Sequence, residues 1–196
     1  MARIGLRYFR HAPLTEEAST YDESKYGEKG TLAGAIECKV SLDIAEAELY
    51  ADDVLKEKAS VVKKGTITLG IDEDDDAKMG ALLGQTSTDL TIEGEEGVKE
   101  YTQKVDDTPV AQGFGHVVPK MVNSKRLYKV EFFPKVLFKP YTVDAKTKGD
   151  SLEFTTPSIE GTIMPMNDGT WEKHATFSSE ASAKTYLDSL FKQASA

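Results

Sequence analysis

One cysteine (Cys38) and one tryptophan (Trp171) are all that 196 residues contain of either type. A single thiol excludes an intramolecular disulfide framework and a zinc site built from cysteines. Histidine is nearly as scarce. His11, His116 and His174 are scattered, with no HExxH and no short His–His spacing, which argues against a zinc enzyme or a Cys–His nucleophile pair. Long apolar runs are missing too: nothing approaches the ~18 residues of a membrane span. The amino terminus has no apolar signal core, and its basic start (Arg3, Arg7, Arg10) is followed by Glu16 and Glu17, unlike an acid-poor transit peptide. These absences describe a soluble protein used where it is made. Basic charge is also short, with 24 Lys and Arg against 33 Asp and Glu for a net −9. Such a chain does not hold a phosphate backbone through bulk charge.

What is present suffices for one domain with sizeable arms. Hydrophobic residues make up 39% and charged residues 29%, so the chain is not disordered in bulk. At this length folding buries roughly 70% of the unfolded surface, enough for a core without staples. The charge is uneven. Residues 72–107 hold 12 acids against Lys78, Lys99 and Lys104, whereas 120–148 hold eight Lys or Arg against Glu131 and Asp144. Two differently solvated faces of a monomer would explain this. So would a self-complementary molecule whose acidic patch meets a neighbour's basic patch, a heterologous contact that closes into rings or propagates as a filament.

Residues 1–32 show little periodicity and read as an N-terminal arm or irregular lead-in. From Ile36, alternation begins: Ile36, Cys38, Val40, Leu42 and Ile44 interleave with Glu37, Lys39, Ser41 and Asp43, the mark of a half-buried strand. Ile67, Leu69 and Ile71 repeat it against Thr66, Thr68 and Gly70. Between them, 45–64 mixes short apolar runs with charge and predicts a long hairpin or excursion. Asp72 is the predicted N-cap of a helix whose first turn carries Glu73, Asp74, Asp75 and Asp76, with Ala77, Ala81, Leu82 and Leu83 inward and Gly84 as the stop. Residues 85–108 predict short strands and exposed loops. Val110–Val118, Leu127–Phe138 and Leu152–Met164 predict further strands, with Pro134 marking an edge or bulge in the most aromatic of them. Asn167-Asp-Gly169 predicts a turn into a strand ending near Phe177. Ser178 or Ser179 then caps a final helix with Ala183, Tyr186, Leu187, Leu190 and Phe191 at helical spacing. Strands without βαβ alternation predict a mainly β, α+β fold like a β-sandwich, with 33–196 as a single domain.

The chemical motifs are weak. Asp72-x-Asp74-x-Asp76 begins like a calcium loop, but Ala77 stands where the sharp turn needs glycine and Leu83 where a bidentate glutamate is needed. Gly113-Phe-Gly115 lacks the third glycine of a dinucleotide fingerprint, and neither a Walker A motif nor a GxSxG elbow occurs. Glu95/Glu96 and Asp106/Asp107 are adjacent carboxylates of the solvating kind. His116 reads as a core or interface histidine, His174 as exposed, and Cys38 as a small buried hydrophobe. Lys146-Thr-Lys-Gly149 could hold an anion, although a polar turn is the simpler reading. No enzyme site emerges.

Taken in order, several segments resemble the major tail (tail tube) protein family of siphophages infecting Gram-positive bacteria. They are Gly34-Ala-Ile-Glu-Cys-Lys-Val-Ser-Leu-Asp43, Ala47-Glu-Leu-Tyr-Ala-Asp-Asp53, Gly65-Thr-Ile-Thr-Leu-Gly70 with the acidic helix to Gly84, Gly113-Phe-Gly115, Phe133-Pro-Lys-Val-Leu-Phe138, Lys146-Thr-Lys-Gly149, Thr156-Pro-Ser-Ile-Glu-Gly161, Asp168-Gly-Thr-Trp171 and the terminal helix. The resemblance implies a β-sandwich protomer flanked by a helix, assembling as hexameric rings stacked into the DNA-conducting tube of a long non-contractile tail. It implies assembly in the host cytoplasm and residence in the virion tail. The implied partners are the subunit itself and the tape measure, tail tip and tail terminator proteins, with DNA passing unbound. It implies no catalytic residue, cofactor, metal or membrane contact. On this reading Glu37, Lys39, Ser41, Asp43, Thr66 and Thr68 face the lumen, and the alternate residues face the core. Glu46, Glu48, Asp52, Asp53, Lys56, Lys58 and Lys63 are candidates for ring stacking, together with the 1–32 arm. The alternative is a monomeric β-sandwich binding module for a carbohydrate or host surface protein, with Tyr101, Tyr141 and Trp171 as its aromatic platform.

Overall fold

A computed structural model describes residues 2–15, 20–141 and 156–191. It is mainly β, with antiparallel pairing throughout. The strands are β1 (Ala2–Arg3), β2 (Arg7–Pro13), β3 (Gly30–Thr31), β4 (Ala35–Ala51), β5 (Val54–Ile71), β6 (Thr86–Asp89), β7 (Lys99–Thr102), β8 (Gln112–Val122), β9 (Lys125–Phe138), β10 (Ser158–Ile163) and β11 (Lys173–Phe177). Helices α1 (Asp76–Leu83) and α2 (Glu180–Ser189) complete the elements, with one 3-10 turn at Glu23–Lys25. The main sheet runs β3-β2-β8-β9-β10-β5-β4, with β1 on β8 and β11 on β9; β6 and β7 pair separately.

Strand β9 is the pivot. Its first part pairs with β11 from Tyr128 to Phe132, and its end pairs with β10 from Val136 to Phe138. Between them the ladder to β8 shifts register, from Phe114↔Phe133 to Gln112↔Val136, and Pro134 sits in that irregularity, where its missing N–H costs no ladder bond. This is the bulge that the sequence predicts. The sheet curls back on itself: Phe9, Phe114 and Phe133 of β2, β8 and β9 share a core with Ile67, Leu69, Ile159 and Ile163 of β5 and β10, closed by Met79, Leu82 and Leu83 of α1. The opposite face of β2, β8 and β9 carries Ala12, Val117, Val130 and Phe132, covered by Ala183, Leu187, Leu190 and Phe191 of α2 and the turn after it.

Covering both faces of β2 corrects the expected N-terminal arm. Phe9, Ala12, Leu14, Tyr26 and Leu32 are all buried, and β2 lies inside the main sheet beside β8. Its pattern is illegible for two reasons. The strand places polar residues at covered positions beside apolar ones, with Tyr8 and Arg10 reaching Asp188 of α2 and His11 buried beside Gln112, so no period-two alternation shows. In addition, Tyr8 adopts φ 63°, and the register slips between Arg7 and Arg10.

Helix α1 also begins later than the sequence predicts. Asp75, not Asp72, accepts from the Lys78 amide at 3.0 Å as N-cap. The Asp72 carboxylate instead accepts from the Gly34 amide at 2.6 Å. Within a run of acids any could cap, and packing of Met79, Leu82 and Leu83 on the core selects the register. Gly84 ends the helix at φ 71°, as expected. The short β6 and β7, the Gly169 turn before β11 and the start of α2 after Ser179 likewise match expectation. Of the predicted Leu152–Met164 strand, Ser158–Ile163 forms; residues 151–155 and the Lys146–Gly149 segment lie outside the described residues.

Close packing of α2 makes one prediction. A Cβ at Gly115 would collide with the Leu187 side chain. Gly115→Val should therefore destabilise by about 1–3 kcal/mol through overpacking. Urea unfolding should show this, and limited proteolysis should cut first at α2; an unchanged midpoint would mean the helix moves aside freely.

Candidate functional site

The expected excursion at 45–64 is a direct continuation of β4 and β5. Both strands run past the last contact with β10, at Gly65↔Ile163, and stay paired to each other until Asp52 and Asp53 turn the chain with φ of 53° and 58°. Two residues at positive φ make the tight turn whose twist suits a hairpin. Beyond the body of the sheet the ladder breaks twice, between Asp43 and Ile44 and between Leu49 and Tyr50, leaving Lys63 and Lys56 as the unpaired residues on β5. Bulged lysines are a usual way to blunt an exposed edge.

Register sorts the arm into two faces. Ile44↔Val62, Glu46↔Ser60, Glu48↔Lys58 and Tyr50↔Leu55 make one. Lys58 Nζ lies 2.9 Å from Glu46 and 3.4 Å from Glu48, while the Tyr50 hydroxyl donates to Glu48 at 2.9 Å. The other is Ala45↔Val61, Ala47↔Ala59, Leu49↔Glu57 and Ala51↔Val54, apolar but for Glu57. Neither is covered: Leu49 is 57%, Tyr50 61%, Val54 56% and Val61 65% exposed. A lone two-stranded hairpin is marginal in water, and a ribbon carrying this much bare apolar surface is a candidate interaction surface.

At the root of the arm, the residues expected to line a channel lie together. Lys39↔Thr68 and Ser41↔Thr66 are cross-strand neighbours, with Glu37 opposite Gly70 and Asp43 opposite Lys64. The four on β4 are exposed, and Thr66 and Thr68 are half-buried. The alternate residues divide. On β5, Ile67, Leu69 and Ile71 are fully buried as expected, but on β4 only Cys38 and Leu42 reach half-burial, and Ile36, Val40 and Ile44 are exposed. As the last strand of the sheet, β4 overhangs the core instead of covering it.

A buried ionic cluster, which the sequence reading passes over, closes the mouth of the first core. Glu131 Oε1 accepts from Arg3 Nη2 at 2.8 Å and Lys129 Nζ at 2.6 Å, and Oε2 accepts from His116 Nε2 at 3.1 Å. Cys38 Sγ stands 4.0 Å from the other ring nitrogen of His116, so β4 and β8, distant in sheet order, meet here. Burial works to raise the Glu131 pKa, but the hydrogen bonds and charges of His116 and Lys129 outweigh it and hold it at about 2. Burial pushes the Cys38 thiol up to about 12, with Glu131 adding to the effect, which suits a packed thiol and not a nucleophile. The signal was an acid inside the most aromatic strand. His11 is also buried, 3.3 Å from Gln112, and His174 is exposed beside Glu172.

The other sequence candidates do not converge. Trp171 is half-buried against Phe133, Tyr101 lies against Gly80 of α1, and Tyr141 bonds Asp74. Among the described residues no three His, Cys, Asp or Glu side chains gather as a metal set, and no helix is long and apolar enough to cross a membrane. No protein-family model matches the sequence, and no curated protein does so either.

Proposed function

We propose that this protein is a self-assembling tube subunit, the major tail protein of a siphophage, forming stacked hexameric rings through which DNA passes unbound. The observation that carries the reading is the arm, whose two strands leave the sheet paired only to each other and expose apolar residues on both faces. Six neighbours would pair the open edges at β4 and close the barrel. The contiguous polar face at the arm's root, Glu37 to Asp43 with Thr66 and Thr68, suits a water-filled wall that lets phosphates slide past. The chain's net charge of −9 acts in the same direction. Ring-to-ring contact falls to the arm, and the tape measure, tail tip and tail terminator proteins are the further partners. A binding module loses its main support, because Tyr101, Tyr141 and Trp171 are each half-buried.

Negative-stain electron microscopy across a concentration series tests this. Rings or hollow tubes are expected. Monomers at every concentration, even with a tail-tip initiator complex added, would overturn it. Within tubes, Glu37→Lys with Asp43→Lys should leave assembly intact while reducing DNA delivery, measured as genome ejection from reconstituted particles. Loss of assembly with an unchanged monomer fold would move both residues from the lumen to an interface.

A further inference from the structure

Strand β8 separates two charged patches of opposite sign. At its start, Gln112 donates to the Leu82 carbonyl of α1 at 3.4 Å, and Tyr101 of β7 lies against Gly80 of the same helix. The root of the β6–β7 ribbon therefore stands at this end. The other end is the tight turn into β9, where Asn123 and Ser124 adopt φ of 46° and 63°. The eleven residues of β8 set the two ends roughly 30 Å apart. Several charges near them are paired within the molecule: Lys129 with Glu131, Lys139 with Glu160, and Lys78 with Glu73 and Asp75. The remainder divides by sign. Lys120, Lys125 and Arg126 at the turn have no ion-pair partner among the described residues, and no acid lies between 120 and 126. Arg3 of β1 stands opposite Lys120 in the ladder. Burial lowers the Lys120 pKa, and the charges of Lys129 and Arg3 lower it further against that of Glu131. On the ribbon, Glu93, Glu95, Glu96 and Glu100 are exposed and likewise without an ion-pair partner among the described residues; Asp89 alone lies near a lysine, Lys99 at 3.7 Å. Each patch also bares apolar side chains, Met121 on the turn and Leu90 and Ile92 on the ribbon.

Resting on the tube reading, we propose that the basic β8–β9 turn of one copy receives the acidic β6–β7 ribbon of the next, and that this contact sets the polarity of assembly. Turn against turn, or ribbon against ribbon, brings like charges together, so copies join head to tail. Complementary charge steers and orients more than it adds affinity, which leaves the holding of the stack to apolar surface such as the arm. Turn and ribbon are different patches rooted at opposite ends of β8, so every contact leaves one of each open and the interaction propagates. The net charge of −9 disfavours a phosphate backbone as the occupant of the turn.

Charge reversal, read by sedimentation and electron microscopy, tests the pairing. Lys125→Glu with Arg126→Glu reverses the turn, and Glu95→Lys with Glu96→Lys reverses the ribbon. All four positions are exposed, so the circular dichroism spectrum should not change. Each reversed chain alone should need an assembly concentration higher by about tenfold or more, because like charges now meet. The chain carrying all four substitutions should assemble near the natural concentration, and a mixture of the two reversed chains should co-assemble. A misfolded chain would not be rescued in this way. Tubes from either reversed chain at the natural concentration, or no recovery with all four changes, would overturn the pairing and spare the tube reading. Recovery as linear chains lacking a channel would do the reverse. No assembly of the natural chain, even with a tail-tip initiator complex, would remove both. A short DNA duplex bound by the natural chain and released by the turn-reversed chain, with assembly unchanged, would assign the turn to phosphate and overturn the pairing. Cross-linking gives a second readout that leaves most of the charge in place. In a Cys38→Ser background, which removes the one native thiol, Glu96→Cys with Lys125→Cys and a short bis-maleimide should give a ladder of covalent multimers on a denaturing gel. Monomer alone at assembly concentration would overturn the pairing.

Discussion

Replacing residues 46–62 with a two-residue Asn-Gly turn should leave a monomer that melts within a few degrees of the full chain and never forms tubes. The first half of this expectation follows from burial. Neither core cluster contains a residue of the arm between Ile44 and Lys63, and apart from the half-buried Ala45 and Val62 these positions are exposed. Surface changes away from a core are usually worth within about 0.5 kcal/mol. For a chain of this size each kcal/mol moves the melting temperature by roughly 2–4 °C. The second half follows from the apolar area the arm exposes, which nothing else on the described surface repeats in one continuous ribbon. Differential scanning calorimetry and electron microscopy of the same preparation check both halves. Long tubes from the shortened chain would remove the arm from the assembly contacts. A collapsed melting transition would show instead that the ribbon supports the sheet.

The second large effect concerns Glu131. Glu131→Ala should destabilise the monomer by about 3–5 kcal/mol, because a buried pair broken on one side leaves its partners uncompensated. The cost falls mainly on His116, whose side chain is 2% exposed, and on Lys129 at 16%, since Arg3 at 58% can turn to water. The same carboxylate sets an acid limit. Its folded pKa of about 2 lies below the ordinary 4.5, so its contribution is fully present above about pH 4.5 and is lost as pH falls through 2. Two and a half units correspond to about 3 kcal/mol at the upper end of that window. Denaturant midpoints measured from pH 6 down to pH 2 should therefore fall more steeply for the natural chain than for Glu131→Ala. Parallel slopes would mean that the carboxylate is not held low by its neighbours.

Much of this architecture is legible in the residues. Period-two alternation marks both β4 and β5, although only on β5 is the apolar face buried, and Asn167-Asp-Gly169 marks its turn because glycine is needed at φ 83°. Even the arm is visible: past Ile44 the alternation resumes in the opposite phase, with Ala45, Ala47 and Leu49 interleaved with Glu46 and Glu48. Two things stay hidden. Strand β2 mixes Arg7, Arg10 and His11 with Phe9 and Ala12 at no fixed period, and Tyr8 interrupts its register, so a central strand looks like a loose lead-in. The Glu131 cluster draws Arg3, His116 and Lys129 from three strands, and no local pattern reports on contacts made by folding. Which residues share a face of the arm also depends on register, and the register slips at two bulges that no residue type announces.

Those bulges bear on mechanics. The arm is joined to the body by two unbroken strands in place of a flexible linker, so it behaves as a cantilever whose root is clamped in the core by Ile67, Leu69 and Ile71. Bending at its tip is a torque on the sheet, and the compliance available is concentrated at two joints, beside Asp43 and beside Leu49. A stack of such levers would curve by small rotations shared among many joints, with no single contact needing to open.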